Sequence, residues 1–275
     1  CLLVLVYIGL SILGEKSMKN RFCLILSLIF ATLILISCQT QQIANAESDD
    51  VKQSDDINIS EVSVVDVVGG KTLPLQDVII SQGRIKSVSP HSDSPANQSI
   101  KSIDGRGKFL MPGLIEMHAH ISDEDDLTLM LSYGITGARQ MADVPWWTKM
   151  FMGFPDGRKL RDKVREGQML GPDIWVGGEI MDGKPPISPL HLSIDDAITA
   201  RKEVVAQKKA GYDFIKIYDN LSIPVFDAIM DEAKKRGIPV TGHVPFAVGI
   251  DRALASDMIS LEHTSGFIDH HHIRY

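Results

Sequence analysis

Between Ile57 and Val88 apolar and polar positions alternate: Ile59, Val62, Val64 and Val65, then Val78-Ile79-Ile80, then Ile85 and Val88. Gly69-Gly70 and Gln82-Gly83 fall between these groups, so the pattern predicts short strands joined by hairpins. Asp104-Gly105-Arg106-Gly107-Lys108 supplies a further turn, and a small β-sheet unit is expected over 57–110. The apolar run Phe109 to Met117 follows and closes on His118-Ala119-His120. On a strand, two imidazoles two residues apart point to the same side.

Beyond Pro112 the pattern changes to short apolar stretches alternating with helical ones, which predicts a parallel sheet with helical crossovers. Asp123 to Tyr133, stopped by Gly134, is expected to be helical, and Ile135 to Met141 to form the next strand. Asp156 to Arg165, stopped by Gly167, predicts a helix, and Asp173-Ile174-Trp175-Val176 a strand. Ser193-Ile194-Asp195-Asp196 reads as a helix start, with Ala197, Ile198, Val204, Val205 and Ala210 as its apolar face and Gly211 as its end. The strand Phe214-Ile215-Lys216-Ile217 follows. An amphipathic helix, Pro224 to Arg236, precedes Val240-Thr241-Gly242-His243, and Phe246 to Ser256 leads to Met258-Ile259-Ser260-Leu261-Glu262-His263.

The expected fold class is therefore α/β: an incomplete (β/α)8 TIM-type barrel over 111–275, preceded by a small β-sheet that forms part of a β-sandwich. About six strand-helix steps are counted, whereas a closed barrel has eight strands, so the chain is expected to be a fragment of a longer product truncated at its carboxyl end.

The amino end follows different rules. Met18-Lys19-Asn20-Arg21 followed by the apolar run from Phe22 reads as a secretory signal over 18–37, with 1–17 as upstream translated sequence. Leu35-Ile36-Ser37-Cys38 resembles a bacterial lipoprotein cleavage box, which implies lipidation of Cys38 and anchoring in the cell envelope. An uncleaved membrane anchor and a core helix are the alternatives for the apolar run. The polar stretch 38–56 reads as a flexible tether.

Composition narrows the field. The 275 residues are 44% hydrophobic and 23% charged, as in an ordinary globular protein, and the net charge of -7 leaves no basic stripe for nucleic acid. With Cys1 and Cys23 in the segments to be removed, the mature chain has no second cysteine for an internal disulfide.

Four of the predicted strands end in nitrogen donors: His118 and His120, Lys216, His243, and His263. Convergence of these groups at one barrel mouth describes a metal centre, imidazoles and an amine being nitrogen donors able to reach one ion. Each histidine alone is equally compatible with an ordinary core or surface role. Lys216 lies between two isoleucines, where burial favours the neutral amine. Such a lysine can capture carbon dioxide as a carbamate, pair with Asp213 or Asp219, or form a Schiff base. Arg139, at the end of its strand, is a candidate for gripping a substrate carboxylate. His191, behind Pro185-Pro186 and Pro189, reads as solvated, as does His270-His271-His272.

Taken in order, Phe109 to His120, Tyr133 to Arg139, Leu160 to Asp173, Gly211 to Tyr218, Arg236 to Pro245 and Ala253 to His263 resemble the amidohydrolase superfamily, on its imidazolonepropionase-like and dipeptidase or prolidase-like branch. The resemblance implies a divalent metal, zinc being expected, as one or two ions. His118 and His120 would hold one, His243 and His263 a second, and a carboxylated Lys216 would bridge them. It implies hydrolysis of amide or cyclic amide C-N bonds of small molecules, dipeptide-like ones favoured, by metal-activated hydroxide. The alternatives are lactone or phosphotriester hydrolysis and a non-catalytic solute-binding envelope lipoprotein. Gln140 stands where many relatives carry an acid. The aspartate that the family places at the end of the eighth strand is matched by no residue here, so negligible turnover is expected from this chain.

Overall fold

The computed structural model describes residues 54–92, 100–264 and 266. The readings for 1–17, 18–37, Cys38 and nearly all of the tether, and for His270-His271-His272, lie outside the described residues. The chain divides into two compact units between Met111 and Pro112.

The first unit is a five-stranded sheet: β1 (Ser54–Asp66), β2 (Lys71–Ser81), β3 (Arg84–Pro90), β4 (Ile100–Asp104) and β5 (Phe109–Leu110). The order is β3-β2-β1-β4, with β5 also beside β1. β1, β2 and β3 pair antiparallel, while β4 and β5 run parallel to β1. Gln82 and Gly83 both have positive φ (50° and 70°), the geometry of a two-residue hairpin turn whose twist matches the strands it joins. Val62 and Val78 are buried, whereas β3 is exposed along its length.

The second unit contains the barrel strands. These are β6 (Leu114–Ala119), β7 (Ile135–Gln140), β8 (Asp173–Val176), β11 (Ile215–Ile217), β12 (Val240–Gly242) and β13 (Met258–Leu261). β6-β7-β8 and β11-β12-β13 are parallel ladders, and the bridge Gly177–Phe214 links them, so the strands follow one another in sequence order. Two short strands, β9 (Met181–Asp182) and β10 (Leu192–Ser193), add to the edge of β11. The helices are α1 (Asp125–Ser132), α2 (Trp146–Met152), α3 (Gly157–Arg165), α4 (Ala197–Lys209), α5 (Ile223–Arg236) and α6 (Gly249–Leu254). This is the α/β architecture of a TIM-type barrel, with six of its strands described.

Local signals account for most of these boundaries. Asp156 and Asp196 cap α3 and α4 by accepting from backbone N–H groups of the first turn, and Gly237 ends α5 in the left-handed region. The residues of β11 alternate faces: Ile215 and Ile217 pack in a cluster with Val225, Phe226 and Ile229 of α5, which sends Lys216 to the opposite side.

Three features differ from the expectation. The run Phe109 to His120 is two strands belonging to different units, interrupted at Pro112-Gly113, where proline offers no N–H and a Cβ on Gly113 would lie 2.1 Å from the Thr136 hydroxyl. On α4, Ala200 and Val204 are buried and Ile198 is 68% exposed, because a period of 3.6 carries position 198 off that face. Finally, α2, β9 and β10 occupy stretches that carry no clear periodicity.

Candidate metal centre

The strands and the turns just beyond their ends carry the chemistry. His118 is the penultimate residue of β6 and His120 follows its end, Lys216 is the middle residue of β11, His243 follows β12, and Glu262-His263 follows β13. Gly242 has φ 146°, and a Cβ there would lie 2.2 Å from the Ile217 carbonyl oxygen; glycine lets β12 close against β11 just before His243. His263 takes φ 61° as the chain turns.

All five predicted donors line one cavity of about 390 Å³. Ring centroids lie 5.3 Å apart for His118 and His120, 4.4 Å for His118 and His263, and 5.0 Å for His243 and His263. Lys216 is 1% exposed, and its Nζ has no hydrogen-bond partner. The ion pairs considered for it do not form. Asp213 accepts from Arg161 at 2.8 Å, and Asp219 bonds Nδ1 of His243 at 2.8 Å.

Two carboxylates orient the imidazoles. Asp219 holds His243, and Glu262 Oε2 holds Nδ1 of His118 at 2.8 Å. With the Nδ1 proton directed to a carboxylate, each ring keeps a lone pair on Nε2, the arrangement that supports histidine as a metal ligand. Glu262 is also the receptor for Arg139 (2.6 Å), Ser260 (2.7 Å) and Thr241 (2.8 Å). Burial opposes its ionisation, but the hydrogen bonds from His118, Ser260, Thr241 and Arg139 prevail and hold the carboxyl at about 2.

Burial, reinforced by neighbouring positive groups, lowers His120 and His263; burial also lowers His243 against the opposing pull of Asp219. Burial brings Lys216 down to about 8, with Arg139 adding to the shift and Glu262 opposing it. Neutral imidazoles and an amine with an accessible neutral form are suited to binding a cation. Among the described residues, however, no group of three or more His, Cys, Asp or Glu side chains is arranged to hold an ion as it stands. The rings stand tilted or edge-on to one another, with interplanar angles of 64°, 55° and 83°.

Arg139 meets a different partner from the one expected. Its Nε donates to the Met117 carbonyl, Nη1 to Ser260 and Nη2 to Glu262, so the carboxylate that it grips is internal, and Arg139 is absent from the cavity lining. His191 is not solvated: its side chain is 8% exposed, lines the cavity, donates from Nδ1 to Asp182 (3.0 Å) and packs edge-on to Tyr218 with centroids 4.5 Å apart. Tyr218 in turn lies 3.9 Å from the His243 ring. Sequence reasoning gave no site role to Tyr218 or Glu262 and considered Asp219 only as a partner for Lys216. All three stand within three residues of a predicted donor, a spacing that could have marked them. Gln140 is buried and closed on its own backbone neighbourhood, accepting from Ile121 N and donating to the Ala142 carbonyl.

No family model matches the chain. Among curated proteins it is 26% identical to an L-hydantoinase from Paenarthrobacter aurescens over 162 residues, 56% of this chain and 33% of that protein. It is 38% identical to an imidazolonepropionase from Idiomarina loihiensis over 64 residues, 23% of this chain and 16% of that one. Among solved structures, a bottromycin amidohydrolase superposes with a TM-score of 0.64 at 29% identity, covering 79% of this chain and 44% of that chain. The chain thus spans a third or less of these curated relatives and under half of that structure. These likenesses, to proteins of different named activity, support a relationship of this chain to the amidohydrolase superfamily.

Proposed function

We propose that the His118, His120, Lys216, His243 and His263 cluster binds a divalent cation, zinc by preference, as one or two ions. We infer from it a hydrolase of amide or cyclic amide C-N bonds in small molecules, dipeptide-like ones among them. The observation that carries this reading is the buried Lys216 Nζ, unpartnered and sharing its cavity with five imidazoles, four of them the predicted donors. Leaving a buried amine without an acceptor is costly unless another group completes it. When bound, the ion would supply Lewis acidity toward a carbonyl and toward water.

The chain's own residues do the rest. Asp219 and Glu262 fix the tautomers of His243 and His118. The neutral form of Lys216 would add to the carbon of carbon dioxide, forming an N–C bond as one C=O π bond opens and releasing a proton, and the carbamate would offer anionic oxygens to a cation. His191 and Tyr218, beside the imidazoles, are placed to orient a substrate amide. In the same reading Cys38 carries a lipid that holds the protein at the bacterial envelope. Its support is the basic segment Met18 to Arg21 followed by an apolar run and the Leu35 to Cys38 box.

No residue of this chain has been matched to the family's proton-shuttling aspartate, so metal binding rather than turnover is the deciding measurement. Zinc titration against a competing chelator is expected to give near-stoichiometric binding, weakened at least about 10-fold by His118→Asn and by His243→Asn. After equilibration with ¹³C-bicarbonate, a carbamate resonance is expected in the wild type and not in Lys216→Met. Absent zinc binding, or binding indifferent to both histidine substitutions, would overturn the metal centre; absence of the resonance in zinc-loaded protein would overturn the carbamate.

A further inference from the structure

The cavity lining includes apolar residues that the metal chemistry does not use: Val144, Met152, Phe154, Ile180 and Leu190. Two polar residues of the lining, Thr148 and Asp143, are closed internally. Thr148 donates its hydroxyl to the Pro145 carbonyl at 2.6 Å. Asp143, 3% exposed, accepts from Lys149 and from the Tyr212 hydroxyl, both at 2.6 Å, and from the Val144 N–H at 2.9 Å. The cations nearby are likewise engaged: Lys149 by Asp143 and Asp156, Arg158 by Asp156, and Arg139 by Glu262. Apart from Lys216, no lysine or arginine lines the cavity among the described residues.

We propose that this cavity selects uncharged amides bearing a bulky apolar substituent, which the Val144, Met152, Phe154, Ile180 and Leu190 wall receives. The proposal rests on the amide-hydrolase reading and narrows its substrate class. A carboxylate beside these residues would lose water without gaining a cation and would sit near the Asp143 carboxylate. An isobutyl-sized group removes its own apolar surface and that of Met152 and Leu190 from water, and so strengthens binding. The amide itself then faces the polar end, where Tyr218 and His191 stand beside the histidines.

The test is binding to the 275-residue chain, read by saturable NMR shifts with three probes: N-acetylleucinamide, N-acetylglycinamide and N-acetylleucine. N-acetylleucinamide is expected to bind roughly 10-fold or more tightly than either of the others. Met152→Ser, at a 62% exposed position, should weaken N-acetylleucinamide several-fold and leave N-acetylglycinamide unchanged. Leu190→Arg, at a 39% exposed position, should shift the preference toward the carboxylate of N-acetylleucine. Equal affinities for all three probes, tighter binding of N-acetylleucine, no binding of any probe, or indifference to both substitutions would overturn the proposal. Zinc binding with a reversed probe order defeats the apolar wall alone; the expected probe order without zinc binding defeats the hydrolase reading alone.

Discussion

The imidazole end of the cavity and its apolar wall are both organised by buried carboxylates, yet they finish with opposite chemistry. At the imidazole end Glu262 and Asp219 each bond the Nδ1 of a histidine, which leaves Nε2 free, and Lys216 has no partner at all. At the wall Asp143 is bonded by Lys149, Tyr212 and its neighbour's N–H, and nothing polar is left for a ligand. Hydrogen-bonding capacity left open marks where a ligand's polar groups go; capacity closed within the protein leaves shape alone to discriminate.

Glu262→Gln should break this contrast most severely. The carboxylate serves His118, Arg139, Thr241 and Ser260 together, and removing its charge leaves the Arg139 guanidinium, 10% exposed, without its anion. A loss of about 3–5 kcal/mol is expected in urea unfolding at pH 7. The folded carboxyl sits at about 2, below its ordinary 4.5. Its stabilisation is therefore complete above pH 4.5 and lost as pH falls through that value toward 2, a change of about 3 kcal/mol. The variant should lack this acid-sensitive component; an unchanged pH profile would mean that the network is not held by charge.

Lys216→Met should act with the opposite sign. In metal-free protein the folded amine sits at about 8, below the ordinary 10.5. The unfolded chain then holds the proton more tightly, so the penalty is complete below pH 8 and disappears as pH rises toward 10.5. Replacing the amine by an apolar side chain of similar length should stabilise the apoprotein by about 3 kcal/mol at pH 7 while removing zinc binding. Reduced stability would show that Lys216 serves packing rather than a ligand. On the wall, Asp143→Asn should cost about 2 kcal/mol, because an amide cannot replace the anion facing Lys149. It should leave zinc affinity within a factor of two, and a larger effect on zinc would show that the two sides are coupled.

The parts of this site that could be read in the sequence are those whose cause is local. Glycine stops, the Asp196 cap and short apolar strands ending in His or Lys are visible within a dozen residues, and they placed five donors on one cavity. The parts that could not be read depend on distant partners. Arg139 meets Glu262 across 123 positions, which sequence spacing cannot show, so its expected ligand role has an internal partner instead. His191 followed prolines and looked like loop. Its burial comes from Asp182, which also bonds the N–H groups of Gly183, Ile187 and Asn220 and so gathers two segments around one carboxylate. The boundary between the units was expected at 110/111, one residue from where it falls, but the break of the apolar run into two strands at Pro112-Gly113 was not read, because the run is continuous and only the approach of Thr136 makes glycine necessary there.

The smallest effect is the most discriminating test of whether the wall is closed. Thr148 is 1% exposed, and its hydroxyl donates to the Pro145 carbonyl, which also accepts the Thr148 and Lys149 N–H groups. Thr148→Val removes the donor while preserving the shape, and those backbone donors keep the acceptor from being orphaned. The cost should therefore stay below about 1 kcal/mol, at the low end for a lost hydrogen bond. N-acetylleucinamide should bind as tightly as before, since the hydroxyl is directed away from the ligand. A several-fold weakening would mean that this oxygen faces the cavity and that the wall reads polarity as well as shape.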